Sequence, residues 1–331
     1  MTDARDEDGA PPPARASARD RAWMLVRALL GIAGIGVVVW LVREQGVDEL
    51  ARVITPALAW LPLAAALDVG RVAMDALSSR LTLGKRGADV PFWPLFTSHL
   101  VAYAVMGVSP AGRATSEAVK ATLLSRWVGG ATAAAMGTAN QANVLLSSGA
   151  FTILSALAAY AVTGPSLLTA LLVVHVVTMT ASGVALRAAA RWERVGAWLG
   201  ARFPRLAPHA STFVGASRET ELVAFGPVVA MMAGRGLQAA HFYVLAHAVG
   251  LDPSALGALA LHGTYLVIAA LGVLVPGQIG ASEGGFALAA NALGAAEAQA
   301  ISIALLSHAV QLALVAVGFG LLALWPRRRP A

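Results

Sequence analysis

Apolar residues fall in eight long runs along this chain, near Trp23–Val42, Pro56–Leu77, Phe92–Val108, Gly130–Val162, Ser166–Leu186, Leu222–Val249, Ser254–Val275 and Ile301–Leu324. Polar connectors separate several of them, at Arg43–Thr55, Ser78–Pro91 and Arg187–Glu221. A helix rises about 1.5 Å per residue and a hydrocarbon core is about 30 Å thick, so runs of roughly 18 residues or more are long enough to cross a bilayer. The pattern predicts an all-α polytopic membrane protein with about eight long transmembrane helices. The first run is too long for the apolar part of a signal peptide and leads into Arg43-Glu44-Gln45 with no small-residue cleavage site, so it reads as a first transmembrane helix.

Two more stretches, Ser109 to Trp127 and Pro276 to Gly294, are mildly apolar and interrupted. Superposed at an offset of 166 residues, Pro110, Ser116 and Glu117 fall on Pro276, Ser282 and Glu283, while Leu100, Val101 and Ala104 fall on Leu266, Val267 and Ala270. The shared register predicts an internal duplication with inverted halves at about 56–162 and 222–324. In lipid every backbone polar group must be satisfied internally, so a Pro/Gly break belongs beside protein or a watery cavity. Broken segments at matching places in two halves are a pointer to a transporter's binding site. The breaks are marked by Pro110, Gly112, Pro276, Gly280, Gly284 and Gly285. They read either as half-helices that complete a crossing or as re-entrant hairpins. A simple kink or a surface turn is the plainer alternative.

Composition sharpens this picture. Of 331 residues, 57% are hydrophobic and 13% charged, against about 25% charged in soluble domains. The net charge of +6 comes from arginines in short loops, a positive-inside pattern, and no basic face with interleaved aromatics exists to bind nucleic acid. With no cysteine, disulfides and thiolate chemistry are excluded. Residues 1–22, polar and Pro-rich, are expected to be a disordered tail. Residues 23–326 form one membrane domain, and 327–331 a basic tail. The connector 187–221, rich in arginine with Trp192 and Trp198, is expected to be a cytoplasmic, partly amphipathic surface segment. Placing the basic loops inside puts both termini in the cytoplasm and requires each broken segment to complete a crossing, whereas re-entrant breaks would divide the basic loops between the two sides.

Intramembrane ionisable residues are costly and mark candidate sites. Arg113, Glu117 and Lys120 share one helical face in the first break; two cations against one carboxylate suit an anionic headgroup. The second break has Glu283, expected to pair with a cation from another helix, Arg235 being the first choice, and to meet Glu117 at one shared cavity. Neutralising Glu283 is expected to abolish transport and spare the fold. Asp68, Arg71 and Asp75 share a face of the second apolar run, and Arg235, Gln238 and His241 a face of the sixth. Both trios read as facing the interior, either as site residues or as packing glue. His99, Tyr103, His262, His308 and Gln311 are weaker candidates. No metal-ligating, nucleophile or P-loop signature is present, so no cofactor and no catalysis are expected.

At Val275-Pro-Gly-Gln-Ile-Gly-Ala-Ser-Glu-Gly-Gly-Phe286, followed by Ala289-Ala-Asn-Ala-Leu-Gly294, the chain resembles the flippase-like transmembrane region of the bacterial lysylphosphatidylglycerol synthases. Ser109-Pro-Ala-Gly-Arg113 looks like that family's earlier P-x-G motif, with Arg113 where members often carry an acidic residue. The resemblance covers roughly residues 25–325. It implies an inner-membrane protein that moves lipids or other amphiphiles between leaflets, without the aminoacyltransferase domain of the full synthases. Membrane lipids are then the expected partners, together with a separate lipid-modifying enzyme. A non-transporting scaffold or accessory subunit of an envelope pathway is the alternative.

Overall fold

The computed structural model describes residues 18–109, 112–202, 207–219 and 224–325; among them there are helices and turns and no strand. The first helix, α1, spans Ala18–Gln45. α2 (Val47–Ala57) runs through Pro56 and a tight turn at Leu58–Trp60 into α3 (Leu61–Thr82). Then come α4 (Phe92–Val108), α5 (Arg113–Val128), α6 (Gly130–Thr163), α7 (Leu167–Ala190), α8 (Glu193–Arg202) and α9 (Ala207–Glu219). The chain ends with α10 (Phe225–Ala248), α11 (Ala255–Leu271), α12 (Ala281–Ala289) and α13 (Glu297–Ala323).

The apolar runs and the helices coincide closely, but the eight runs are not eight equivalent spans. Five stretches are long and apolar enough to cross a membrane: the later part of α1, the continuous Val47–Thr82 stretch, α6, α7 and α13. α4 and α11 are apolar but only 17 residues each, about 26 Å of helix against a core of about 30 Å. α10 has 24 residues and carries Arg235, Gln238 and His241 on an otherwise apolar helix. The expected disordered tail also needs correction at its end, because α1 begins at Ala18; residues 1–17 and the basic 327–331 lie outside the described residues. The basic connector contributes α8 and α9, which pack on each other and on the ends of α7 and α6.

Each break becomes the tip of a helical hairpin. α4 packs along α5, and α11 along α12. Helix bounds in the two halves follow the 166-residue offset: α3 corresponds to α10, α4 to α11, α5 to α12 and α6 to α13. Packing follows the same scheme, with α3 against α10, α4 against α13 and α6 against α11. Two larger apolar clusters make up the core. Val72, Leu95, Leu100, Leu124 and Met136 join α3 to α6 in the first; Phe242, Leu245, Leu261, Phe286 and Ile303 join α10 to α13 in the second. Large apolar side chains such as Leu29, Ile32, Val174, Val177 and Leu312 lie exposed on α1, α7 and α13. That outer surface suits lipid and not water.

Candidate functional site

The polar residues collect where α3, α5, α6 and α10 meet. A cavity of about 50 Å³ there is lined by Arg71, Asp75, Arg113, Ser147, Gly234 and Arg235, among others, so three guanidinium groups face one carboxylate. Arg71 and Arg235 stand near the middle of α3 and α10, and Arg113 opens α5 at the hairpin tip.

Helical spacing explains the α3 trio. Arg71 donates from Nε to Asp68 Oδ1 at 3.2 Å, one turn back, and from Nη1 to Asp75 Oδ2 at 3.4 Å, one turn on. Its guanidinium also lies 5.1 Å from the Tyr103 ring centroid, on α4. With its side chain only 13% exposed, Arg71 is neutralised along its own helix and held in place.

Arg235 is different. It donates from Nη1 to Gln238 Oε1 at 2.9 Å and from Nη2 to Ser148 Oγ of α6 at 2.6 Å. Its partners are neutral; no ion pair joins it to a carboxylate among the described residues. Gln238 Oε1 in turn accepts from His262 Nε2 at 3.3 Å. Arg113 donates to Gln141 Oε1 at 3.3 Å and is otherwise exposed. Two of the three cations in the cavity therefore have neutral partners and no carboxylate in an ion pair among the described residues.

Glu117 and Lys120 lie further along α5. Lys120 Nζ donates to Glu117 Oε1 at 2.9 Å and stands 2.8 Å from Oε2. The lysine is almost fully buried, whereas the glutamate is 25% exposed and lines a second, larger cavity of about 300 Å³ between α5, α6 and the end of α7. Its walls are mostly apolar: Ala118, Ala121, Ala134 and Leu186, with Thr138 and Gln141 as polar exceptions. Gly137 faces the carboxylate so closely that a Cβ there would stand 2.9 Å from Glu117 Oε2.

Three sequence expectations are corrected. Glu283 does not pair with Arg235. It takes a hydrogen bond from the Gly280 backbone N–H at 2.8 Å on Oε2 and one from His308 Nδ1 at 2.7 Å on Oε1. The first interaction is the side-chain half of a helix cap for α12. Glu283 also does not line the cavity that Glu117 lines; it is 1% exposed, because α13 and the start of α12 close over it. The α10 trio, finally, divides. His241 turns away from Arg235, donating from Nδ1 to the Ala64 carbonyl of α3 at 3.1 Å, which leaves Nε2 to accept from Ser307 Oγ of α13 at 3.3 Å.

The second tip reaches the end of α4. A Cβ built on Gly277 lies 3.9 Å from the Gly107 carbonyl oxygen, near the end of α4. The second tip also rests on α1, where Gly280, at φ +82°, comes so close that a Cβ on it would collide with the Gly34 backbone. Gly34 admits the Ile279 carbonyl in return. Pro276 reaches Gly31 of α1, while Gly284 and Gly285 admit Val37 and Ile268, so these breaks are packing contacts. Gly112, at φ +48°, turns the chain into α5; Pro110 lies outside the described residues.

Sequence reading missed Ser148, Gln141 and the role of Arg187. It assigned Arg187 to the surface connector, but the residue is buried on α7, donating to Asn143 Oδ1 at 2.7 Å and to the Ala139 carbonyl at 3.3 Å. Its position within the last turn of an apolar helix, and not in the polar connector, was the available signal.

A family model described as the lysylphosphatidylglycerol synthase TM region matches residues 24–318. Among curated proteins and among solved structures no match was found.

Proposed function

The chain belongs to the lysylphosphatidylglycerol synthase TM region family, and on that premise we propose that it moves an anionic or zwitterionic lipid, or a related amphiphile, between membrane leaflets. The observation that carries this reading is the guanidinium cavity: Arg71, Arg113 and Arg235 around Asp75, drawn from both halves of the chain. Unpaired cations at this depth are expensive unless water or a ligand compensates them. Arginine suits a phosphate because its planar fork donates two parallel hydrogen bonds.

The wider architecture supports the same reading. We take the two halves as an inverted repeat, because helix bounds and helix packing repeat at the same offset. We take each broken segment as a re-entrant hairpin, because α4 and α11 are short and fold back along α5 and α12. With α1, α3, α6, α7, α10 and α13 crossing, Lys85, Arg126, Arg191 and Arg218 then fall on one side, as the positive-inside rule requires of the cytoplasm. On this reading both termini are cytoplasmic and the membrane is the cytoplasmic one. No catalytic step is invoked.

The test is a leaflet-resolved assay in proteoliposomes, with fluorescent phosphatidylglycerol reduced from outside by dithionite. Wild-type protein is expected to make inner-leaflet lipid accessible, and Arg235→Gln to slow this at least about tenfold, the loss of a charge-assisted pair. Wild-type vesicles indistinguishable from protein-free ones for every phospholipid class would overturn the proposal in favour of a scaffold.

A further inference from the structure

The guanidinium cavity and the larger apolar cavity share a wall. Arg113 lines the first, Gln141 lines the second, and the hydrogen bond between them, 3.3 Å from Nη1 to Oε1, is the contact that joins the two linings. We infer that the two cavities form one binding site for a phosphate-bearing amphiphile, with the phosphate between Arg113 and Arg235, its apolar portion between α5, α6 and α7, and the Arg113–Gln141 bond as the gate.

The chemistry of the two parts is complementary. The polar part is small and holds cations whose present partners are neutral amide and hydroxyl oxygens. A phosphate oxygen is a stronger acceptor than either. The apolar part, at about 300 Å³, reaches the size of small-molecule sites. Its alanines leave the space, Gly137 lets the Glu117 carboxylate lie close against α6, and Lys120 pairs with that carboxylate. That pairing leaves the wall without net charge, as an apolar chain requires.

The gate follows from competition for one donor. Arg113 gives its hydrogen bond to Gln141 when no anion is present. A phosphate in the polar part draws the guanidinium away, frees the Gln141 side chain, and removes the partition between the cavities. Anion binding and admission of the apolar portion are thereby linked. Neither inorganic phosphate nor an uncharged lipid obtains both contributions.

This rests on the proposed function, and the experiment separates the two. Titration calorimetry on the full chain in a maltoside detergent compares dioctanoyl phosphatidate, inorganic phosphate and dioctanoylglycerol. Phosphatidate is expected to bind at least about tenfold tighter than either of the others. Ala118→Leu, which fills the apolar part, should lower phosphatidate affinity to near that of inorganic phosphate and leave phosphate affinity unchanged. Thr138→Leu makes the same forecast from α6, should the first variant fold poorly. Gln141→Leu should tighten inorganic phosphate about threefold, since Arg113 loses its competing acceptor. Phosphatidate affinity that falls with Arg235→Gln but is untouched by both cavity-filling variants overturns the shared site and leaves the proposed function standing. Unchanged phosphate affinity in Gln141→Leu overturns the gate. Absence of phosphatidate binding overturns the shared site too, and if leaflet movement is also absent the proposed function falls with it.

Discussion

The two hairpins carry the same proline, serine and glutamate at the same spacing, yet their glutamates meet different surroundings. In the first, Glu117 pairs with Lys120 one turn on and borders an open cavity. In the second, Glu283 binds back to the Gly280 N–H and across to His308, and is sealed. The first tip carries Arg113 toward the central cations. The second is clamped on α1 through Gly34 and Gly280. One copy of the motif borders a cavity and the other is a packed joint. The same Pro, Ser and Glu register thus sits in two different settings, and the neighbours each glutamate meets decide whether it borders a cavity.

The sharpest way to break this contrast is to remove the sealed carboxylate. Glu283→Ala leaves His308 and the α12 terminus without their acceptor, and an expected loss of about 3–5 kcal/mol should appear as a lower melting temperature in detergent. A variant as stable as wild type would end the claim that the second hairpin is a joint. It would restore the expectation that Glu283 faces a wet cavity.

Next in size is Arg71→Gln, at about 3 kcal/mol, because Asp68 is buried and both flanking carboxylates lose their cation. Thermal unfolding of this variant beside Asp68→Asn/Arg71→Gln checks it, since neutralising both partners should recover part of the loss.

Gly280→Ala should cost about 1–3 kcal/mol or more, because a left-handed backbone and the Gly34 contact both exclude a side chain. Gly112→Ala, equally left-handed but with open space around it, should cost about 1–2 kcal/mol. Chemical denaturation of the pair measures the difference between a clamped tip and a free one.

The smallest stability effect belongs to the open site. Arg235→Gln should stay within about 1 kcal/mol of wild type, having no carboxylate partner to strand, even as lipid movement falls. If Arg235→Gln instead unfolds the protein, the guanidinium is structural and the central cavity is no site.

Much of this was legible in the residues. Hydrophobic spacing located helices to within a few residues; α4 and the start of α6 fall where the apolar runs do. The pairing of Arg71 with Asp68 and Asp75 is written at i, i+3 and i+7, steps of three and four, because a helix makes those positions neighbours whatever the fold. The partners of Glu283 and Arg235 were not. His308 is 25 residues from Glu283, and Ser148 is 87 residues from Arg235. A sequence in which nearly every helix is apolar on most faces has no preferred partner for a lone charge.

What the sequence by itself determined is therefore what depends on single helices and their solvent: an all-helical membrane chain, two breaks in matching register, and the local ion pairs. Helix period and the cost of bare backbone in lipid act locally. Only the tertiary structure decided which break stays open, that Glu283 closes on His308, and that Arg71, Arg113 and Arg235 line one cavity. Those outcomes depend on how helices from separate halves pack, and packing among alanines, glycines and valines is set by shape over the whole bundle, which no short stretch of sequence encodes.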